Sequence, residues 1–166
     1  MTAEIRKVLI SISFASESSK DHFSYAAHLA KKMGAELIAL SVINQGDIDS
    51  ASVYSRLVGA ETINVNDLAS MEIERRKKRI ELVLNEIGLA DIERTLIVKV
   101  GDPFEEILKA IDEFDVDIVV MGTSGTITKG EKFNVLKGSV VEKVFRHSPV
   151  PVLSVRSMQS KSGNTL

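Results

Sequence analysis

The chain contains no cysteine and no tryptophan, and proline occurs only three times in 166 residues. The lack of cysteine excludes disulfides, cysteine-ligated zinc and a cysteine nucleophile. A charge excess is also missing: 21 basic and 23 acidic residues give a formal net charge of −2, whereas nucleic-acid-binding domains are usually strongly basic. No apolar run approaches the roughly 20 residues that span a bilayer, and the N-terminus lacks the layout of a secretion signal. We therefore expect a cytoplasmic protein that binds neither nucleic acid nor a membrane.

The length is that of one ordinary domain. A chain of this size buries roughly 70% of its unfolded surface, so it needs neither disulfides nor metal to be stable. We predict a single domain over residues 1–156. The remaining residues, 157–166, are rich in Ser, Lys, Gly and Asn, which predicts a flexible C-terminal tail.

Short β-branched runs alternate with amphipathic stretches along the chain. They predict strands at 7–12, 36–43, 95–100, 118–121 and 149–155, and helices at 19–33, from 66 or 67 to 87, from 103 onward and at 139–145. This order is typical of an α/β fold with an open, mostly parallel, five-stranded sheet and helices on both faces. The prolines of the last strand place it at a sheet edge, because proline cannot donate a ladder hydrogen bond.

Two stretches allow more than one interpretation. Residues 44–65 show no clear period, apart from a short helix predicted at 50–57, and fit either a functional lid or a variable surface insertion. Residues 72–79 form a charge run. We interpret it as a solvated helix face with Glu72–Arg76 and Glu74–Lys78 pairs, rather than as a docking patch for an acidic partner.

Two glycine-containing segments are the strongest indication of function. The fourth predicted strand runs into Gly122 and Gly125, and Gly138 and Ser139 open the last predicted helix. Glycine admits a close ligand, and a helix N-terminus presents unpaired N–H groups with a positive partial charge. A serine there can cap the helix or bond a phosphate oxygen. We predict that this cradle holds the phosphates of a nucleotide.

Other phosphate-binding and catalytic motifs fit poorly. The spacing from Gly125 to Gly130 is that of a P-loop, but Glu131 stands where lysine is required. No dinucleotide fingerprint follows the first strand. Asp117 is a candidate catalytic carboxylate, although an acid before a strand is more often a turn residue. Surface or helix-capping roles are assigned to all three histidines, since nothing pairs them with a nucleophile or metal ligands: His22, His28 and His147.

Several segments taken together resemble the universal stress protein family over about residues 7–155. They are the Lys-Val-Leu-Ile opening strand, the Ala-rich first helix before Gly34, Gly-Asp-Pro at 101–103, Asp-Ile-Val-Val-Met-Gly at 117–122, Gly-Ser-Val at 138–140 and Ser-Pro-Val-Pro-Val-Leu-Ser-Val at 148–155. The resemblance implies a sheet of order 3-2-1-4-5, like that of the adenine nucleotide alpha hydrolases. It also implies a homodimer formed along the last strand, from Val150 to Val155.

The resemblance further implies a regulatory protein of the stress response that binds ATP or AMP, with or without Mg²⁺, and hydrolyses it slowly or not at all. Carried over residue by residue, Gly122, Gly125, Gly138 and Ser139 resemble the phosphate cradle, and the backbone of Val42 the position that meets the adenine. The full set of implied cofactor-binding residues is Ser11, Ser13, Val42, Met121, Gly122, Thr123, Ser124, Gly125, Gly138, Ser139 and Val140.

Two departures from the family pattern bear on this site. The loop 126–137 holds twelve residues rather than nine, and Ser13 stands where nucleotide-binding members usually carry an aspartate. Losing one hydrogen bond to a buried ribose hydroxyl costs on the order of 1 kcal/mol, or about tenfold in affinity. A nucleotide-free dimeric interaction protein of the same fold is therefore the alternative. A hydrolase or transferase is a third hypothesis, for which the sequence offers no evident catalytic carboxylate or metal site.

Overall fold

The computed structural model describes residues 4–13, 19–57, 59, 64–123 and 139–156. The predicted tail at 157–166 and the loop at 124–138 lie outside the described residues. The elements follow in the order β1 (Lys7–Ser11), α1 (Ser19–Met33), β2 (Glu36–Asn44), α2 (Gln45–Leu57), α3 (Val65–Glu86), β3 (Arg94–Gly101), α4 (Pro103–Glu113), β4 (Ile118–Thr123), α5 (Val140–His147) and β5 (Val152–Arg156).

The five strands form one sheet of order β3-β2-β1-β4-β5, and each described pairing is parallel. The predicted fold class and strand order are confirmed. The order reverses between β1 and β4, which lie side by side with Ser11 opposite Met121. This is the switch point at which sheets of this kind bind their ligands.

The sheet is covered on both faces, because alternate residues of each strand point to opposite sides. On one face Val8, Ile10 and Leu37 pack with residues of α1 and α3. On the other, Leu9 and Ile38 pack with residues of α4 and α5. The central strands are buried on both faces, which is why they are apolar without alternation.

Asp117 has a structural role at the start of β4. Its Oδ2 accepts hydrogen bonds from the backbone N–H groups of Arg6, at 2.8 Å, and Lys7, at 2.9 Å. The carboxylate therefore ties the entry of β1 to the entry of β4. This end of the sheet is opposite the carboxyl ends of the strands, so the contact supports a turn role rather than catalysis.

Several element boundaries differ from the predictions. The stretch after β2 is a 13-residue helix, α2, not a loop with a short helix. Only Ile48 and Ser52 of its described side chains are buried, so its apolar stripe is too narrow to give a clear period. Strand β5 begins at Val152, because the preceding prolines have no N–H for the ladder; Pro151 contributes its carbonyl, which accepts from Val119 N–H at 3.0 Å.

Helices α3 and α4 are each preceded by a residue whose side chain caps a backbone N–H group of the first turn. Helix α4 begins at Pro103, as predicted, and Asp102 caps it by accepting from Glu105 N–H at 3.1 Å. The cap of α3 is Asn64, two residues before the predicted start, and it accepts from Asn66 N–H at 3.0 Å. Within the residues that the structure describes, no helix is long and apolar enough to cross a membrane.

Candidate functional site

A cavity of about 660 Å³ opens at the carboxyl ends of the strands. This volume lies within the range of small-molecule and cofactor sites. The ends of β1, β2 and β4 line it, together with the first turns of α4 and α5 and parts of α2 and α3. The fold therefore places an open cavity at the switch point between β1 and β4.

Most of the described residues predicted for the nucleotide site meet in this cavity. The ones that line it are Ser11, Ser13, Val42, Met121, Gly122, Ser139 and Val140. Thr123 is not among the lining residues; its Oγ1 donates toward the Val155 carbonyl of β5 at 3.4 Å. The other three predicted positions, Ser124, Gly125 and Gly138, lie outside the described residues.

The α5 end of the cavity is a capped helix N-terminus. Ser139 has extended backbone angles, and its Oγ accepts a hydrogen bond from Glu142 N–H at 3.1 Å. Val140 and Val141, in the first turn, line the cavity beside it. Helix N-termini carry about half a positive charge, so this end favours an anionic group.

Gly122 lines the cavity and also lies at a close packing contact between β4 and α1. A Cβ at this position would overlap the imidazole ring of His22, on α1, at its Nδ1. The ring and the β4 backbone therefore touch directly, which only glycine allows. Besides its predicted place in a phosphate cradle, Gly122 makes room for the buried His22 side chain.

The surface or capping role predicted for His22 is wrong, because this side chain is only 6% exposed. Position 22 lies beside Phe23 and four residues before Ala26, on the buried face of α1. Its Nε2 has no hydrogen-bond partner among the described residues. Burial lowers the pKa of His22 from its usual 6.5, and the neighbouring Asp21 carboxylate partly opposes that shift. His28 and His147 are exposed, and each Nδ1 bonds a carbonyl one turn earlier, in accord with the prediction.

The β2 end of the cavity is formed by Arg76 of α3. The Arg76 side chain is only 16% exposed, and its Nη1 donates to Ser41 Oγ at 2.9 Å and to the Val42 carbonyl at 3.0 Å. Ser41 Oγ in turn donates to the Ile12 carbonyl at 3.1 Å. The arginine thus joins α3 to the ends of both β1 and β2.

Glu72 holds both arginines of this end. It accepts from Arg76 Nε at 2.7 Å and from Arg75 Nε at 2.7 Å and Nη2 at 2.8 Å. The bond from Arg75, reinforced by Arg76 and opposed by partial burial, lowers the pKa of Glu72 to about 2. The predicted Glu72–Arg76 pair is confirmed, whereas Glu74 pairs with Lys77 at 3.6 Å instead of Lys78.

The solvated-face interpretation of 72–79 therefore holds for only part of the run. Arg76 lies three residues after Ile73 and four before the buried Ile80, on the inward stripe of α3, and this spacing was the signal that could have identified it. Asn44 and Asp47, where β2 passes into α2, also line the cavity and were not predicted. Among the described residues, no group of three or more histidine, aspartate or glutamate side chains could hold a metal ion.

Comparisons with known proteins agree with this architecture. The universal stress protein MJ0577 of Methanocaldococcus jannaschii is 30% identical over 166 residues, covering 96% of this chain and all of that protein. A solved structure of MJ0577 superposes with a TM-score of 0.69 at 28% identity, over 93% of this chain and 97% of the other. Two more distant structures share the fold.

The first of these is a universal stress protein in complex with cAMP, with a TM-score of 0.59 and 21% identity, over 93% of this chain and 99% of the other. The second is the universal stress protein from Archaeoglobus fulgidus in complex with dAMP, with a TM-score of 0.59 and 16% identity, over 92% and 98%. The model of the universal stress protein family matches residues 4–156. With its fold, its cavity and this match in agreement, the chain belongs to the universal stress protein family.

Proposed function

We propose that this universal stress protein is an adenine-nucleotide-binding regulatory homodimer of the cytoplasm that binds ATP or AMP in the cavity at the switch point. The base lies against β2 and the phosphates lie at the N-terminus of α5. The observation that carries the proposal is the backbone of Val42, at the point where β2 extends past β1.

The β1–β2 ladder ends where Ile12 N–H donates to the Leu40 carbonyl at 2.9 Å. Alternate residues of a parallel strand present their N–H and C=O groups to the same neighbour. Val42, two residues after Leu40, therefore directs one donor and one acceptor toward the side that β1 has vacated. The 6-amino group and N1 of adenine are a donor next to an acceptor, so they complement this backbone edge.

The other end of the cavity suits phosphate. Strands β2 and β4 are separated by β1, so their backbones lie about 10 Å apart, a distance that a nucleoside can bridge. The α5 N-terminus, with Ser139 and Val140, then receives the negative charge. Gly125 and Gly138 complete the cradle on sequence grounds, and Mg²⁺, where present, would accompany the phosphates.

The ligands of two relatives of the same fold support this choice. One was solved with cAMP and the other with dAMP, and both ligands contain adenine and phosphate. We further propose that hydrolysis is slow or absent. Arg75 and Arg76 lie at the base end and are engaged by Glu72, so neither is placed to stabilise a transferring phosphoryl group.

The dimer is proposed along β5. This strand lies at one edge of the sheet, paired with β4, and an unpaired strand edge is a template for a second chain. Ser154 and Arg156 on it are exposed, whereas Leu153 packs against the core. Pairing of two β5 edges about a two-fold axis would extend the sheet across the dimer.

Two contacts favour a second candidate function, a nucleotide-free interaction protein of the same fold. The His22 ring fills the space beside Gly122, and Arg76 already bonds the Val42 carbonyl. Together with Ser13 in place of the family's aspartate, these contacts would suit a cavity that is structural rather than ligand-binding.

Measurements of adenine nucleotide binding to the purified protein decide between these two candidate functions. We expect adenine nucleotide in mass spectra of the small molecules released on denaturation, and micromolar affinity for ATP in calorimetry of the stripped protein. The double variant Gly125→Val, Gly138→Val should fold and lose that affinity, while sedimentation of the wild type should give a dimer. No released nucleotide together with no heat of ATP binding would contradict the proposal.

A further inference from the structure

Arg76 occupies the acceptor that the proposed base-binding edge would use. Its Nη1 lies 3.0 Å from the Val42 carbonyl oxygen, and the side chain itself lines the cavity. A carbonyl oxygen accepts up to two hydrogen bonds, but an adenine 6-amino group brought to this one approaches from the cavity, where the guanidinium already lies. The base and the arginine therefore meet at one acceptor and in one part of the cavity.

The arginine is held in this position by three partners. Glu72 accepts from Nε, one helical turn away, while Ser41 and Val42 accept from Nη1. The Glu72 bond lies within α3 and does not involve the base-binding edge, so it can persist when the tip of the side chain leaves β2. This geometry allows the guanidinium to turn away from Val42 without losing its counter-charge.

We propose that Arg76 is a latch on the base-binding edge, and that displacing it is what a 6-amino purine must do to bind. This inference rests on the proposed function, because it assumes that the Val42 edge reads the base. If Arg76 is a latch, it lowers the affinity for adenine nucleotides and reduces the difference between their affinity and that of 6-oxo purine nucleotides.

A 6-oxo purine would behave differently. Hypoxanthine carries an acceptor at position 6, where adenine carries a donor, and an N1–H donor where adenine carries an acceptor. In the same orientation it therefore cannot donate from position 6 to the Val42 carbonyl, and its O6 can instead accept from the guanidinium. AMP and IMP share the same ribose and phosphate. Their comparison therefore separates the hydrogen-bonding edge of the base, at positions 1 and 6, from any effect of charge on the phosphate.

The test is calorimetric titration of AMP and IMP into the stripped wild type, Arg76→Met and the control Lys78→Met. Methionine keeps much of the arginine stem and removes the donors. Lys78 is an exposed residue of the same helix, so its replacement removes one positive charge away from the cavity. We expect Arg76→Met to bind AMP about tenfold more tightly than the wild type, the equivalent of one hydrogen bond that need not be broken.

For IMP we expect no gain in Arg76→Met, and for Lys78→Met we expect wild-type affinities for both nucleotides. If Arg76→Met binds AMP and the wild type does not, that result would also support the latch, because it would mean that Arg76 blocks the base-binding edge in the wild type. If thermal melting shows that the methionine variant does not fold, Arg76→Gln is the substitute, since glutamine is shorter and carries no charge.

Four results would overturn the inference. Equal gains for AMP and IMP would show that Arg76 acts through charge or bulk, and weaker AMP binding in Arg76→Met would show that it is a direct ligand contact. Unchanged AMP binding in Arg76→Met, with a wild type that does bind, would refute the latch and leave the proposed function intact. Absence of binding in every protein would refute both proposals.

Discussion

The two ends of the cavity are built from different kinds of interaction. At the α5 end, Ser139 caps a helix through a bond to Glu142, three residues away, and Gly122 lies near the end of β4. At the β2 end, Arg76 reaches Ser41 and Val42, which are 35 and 34 residues earlier in the chain. The helix cap at the first end is made by local chemistry, whereas the second end is made by side chains that tertiary packing brings together.

This difference shows that one end of a cavity can be predicted from the sequence while the other end cannot. It also predicts that substitutions at the two ends will fail in different ways. Changes around Gly122 and Ser139 should act on stability and on phosphate binding, whereas changes at Arg76 should act on the choice of base.

The largest effect is expected for Gly122→Ala. The new methyl group would overlap the His22 ring, and overpacking of this kind costs about 1–3 kcal/mol in the free energy of unfolding. Urea denaturation of Gly122→Ala, His22→Ala and the double variant would measure it. We expect the double variant to be more stable than the sum of the two single losses predicts, since removing the ring makes room for the methyl group. Additive losses would mean that the overlap is relieved by the backbone.

A smaller effect separates capping from ligand binding at Ser139. Replacing it with alanine should lower the free energy of unfolding by about 1 kcal/mol, the usual value of an N-cap. Ser139→Asp keeps a cap acceptor and should stay near wild-type stability. The same variant brings a negative charge to the α5 end, so calorimetry should show weaker ATP binding with adenosine binding unchanged. Equal effects on ATP and adenosine would place the phosphates elsewhere.

The smallest effect is a pH dependence that comes from His22. Its pKa is lowered in the folded protein from the usual 6.5, so the unfolded chain binds the proton more readily. The free energy of unfolding should therefore fall as the pH drops through 6.5, and the fall should level off below the folded pKa. Urea midpoints between pH 8 and pH 5 should fall less in His22→Gln than in the wild type. The control His28→Gln, at an exposed position of the same helix, should follow the wild type, and identical curves for all three proteins would contradict the assignment.

The parts of the molecule that were predicted correctly depend on short-range rules. Asp102 and Pro103 begin α4 because capping chemistry acts within one turn. The buried strands were recognisable from their β-branched runs, and the prolines placed β5 at an edge. The convergence of Ser11, Val42 and Ser139 on one cavity was expected from the family resemblance, since the carboxyl ends of parallel strands share one side of the sheet.

The errors have a common physical origin. His22 and Arg76 are polar residues on the inward faces of their helices. Their residue types favour the surface, whereas their spacing relative to buried apolar residues favours the core, and the prediction followed the residue type. Helix α2 has too narrow a buried face to show a period.

By itself, the sequence determined the α/β class, the start of α4 and the glycine–serine elements of the α5 end, because each depends on residues within a few positions of one another. Only the tertiary structure decided that His22 fills the space that Gly122 leaves and that Arg76 bonds the backbone of Val42. Those contacts join α1 to β4 and α3 to β2 across long stretches of chain, so they exist only once packing has fixed which helix covers which strand.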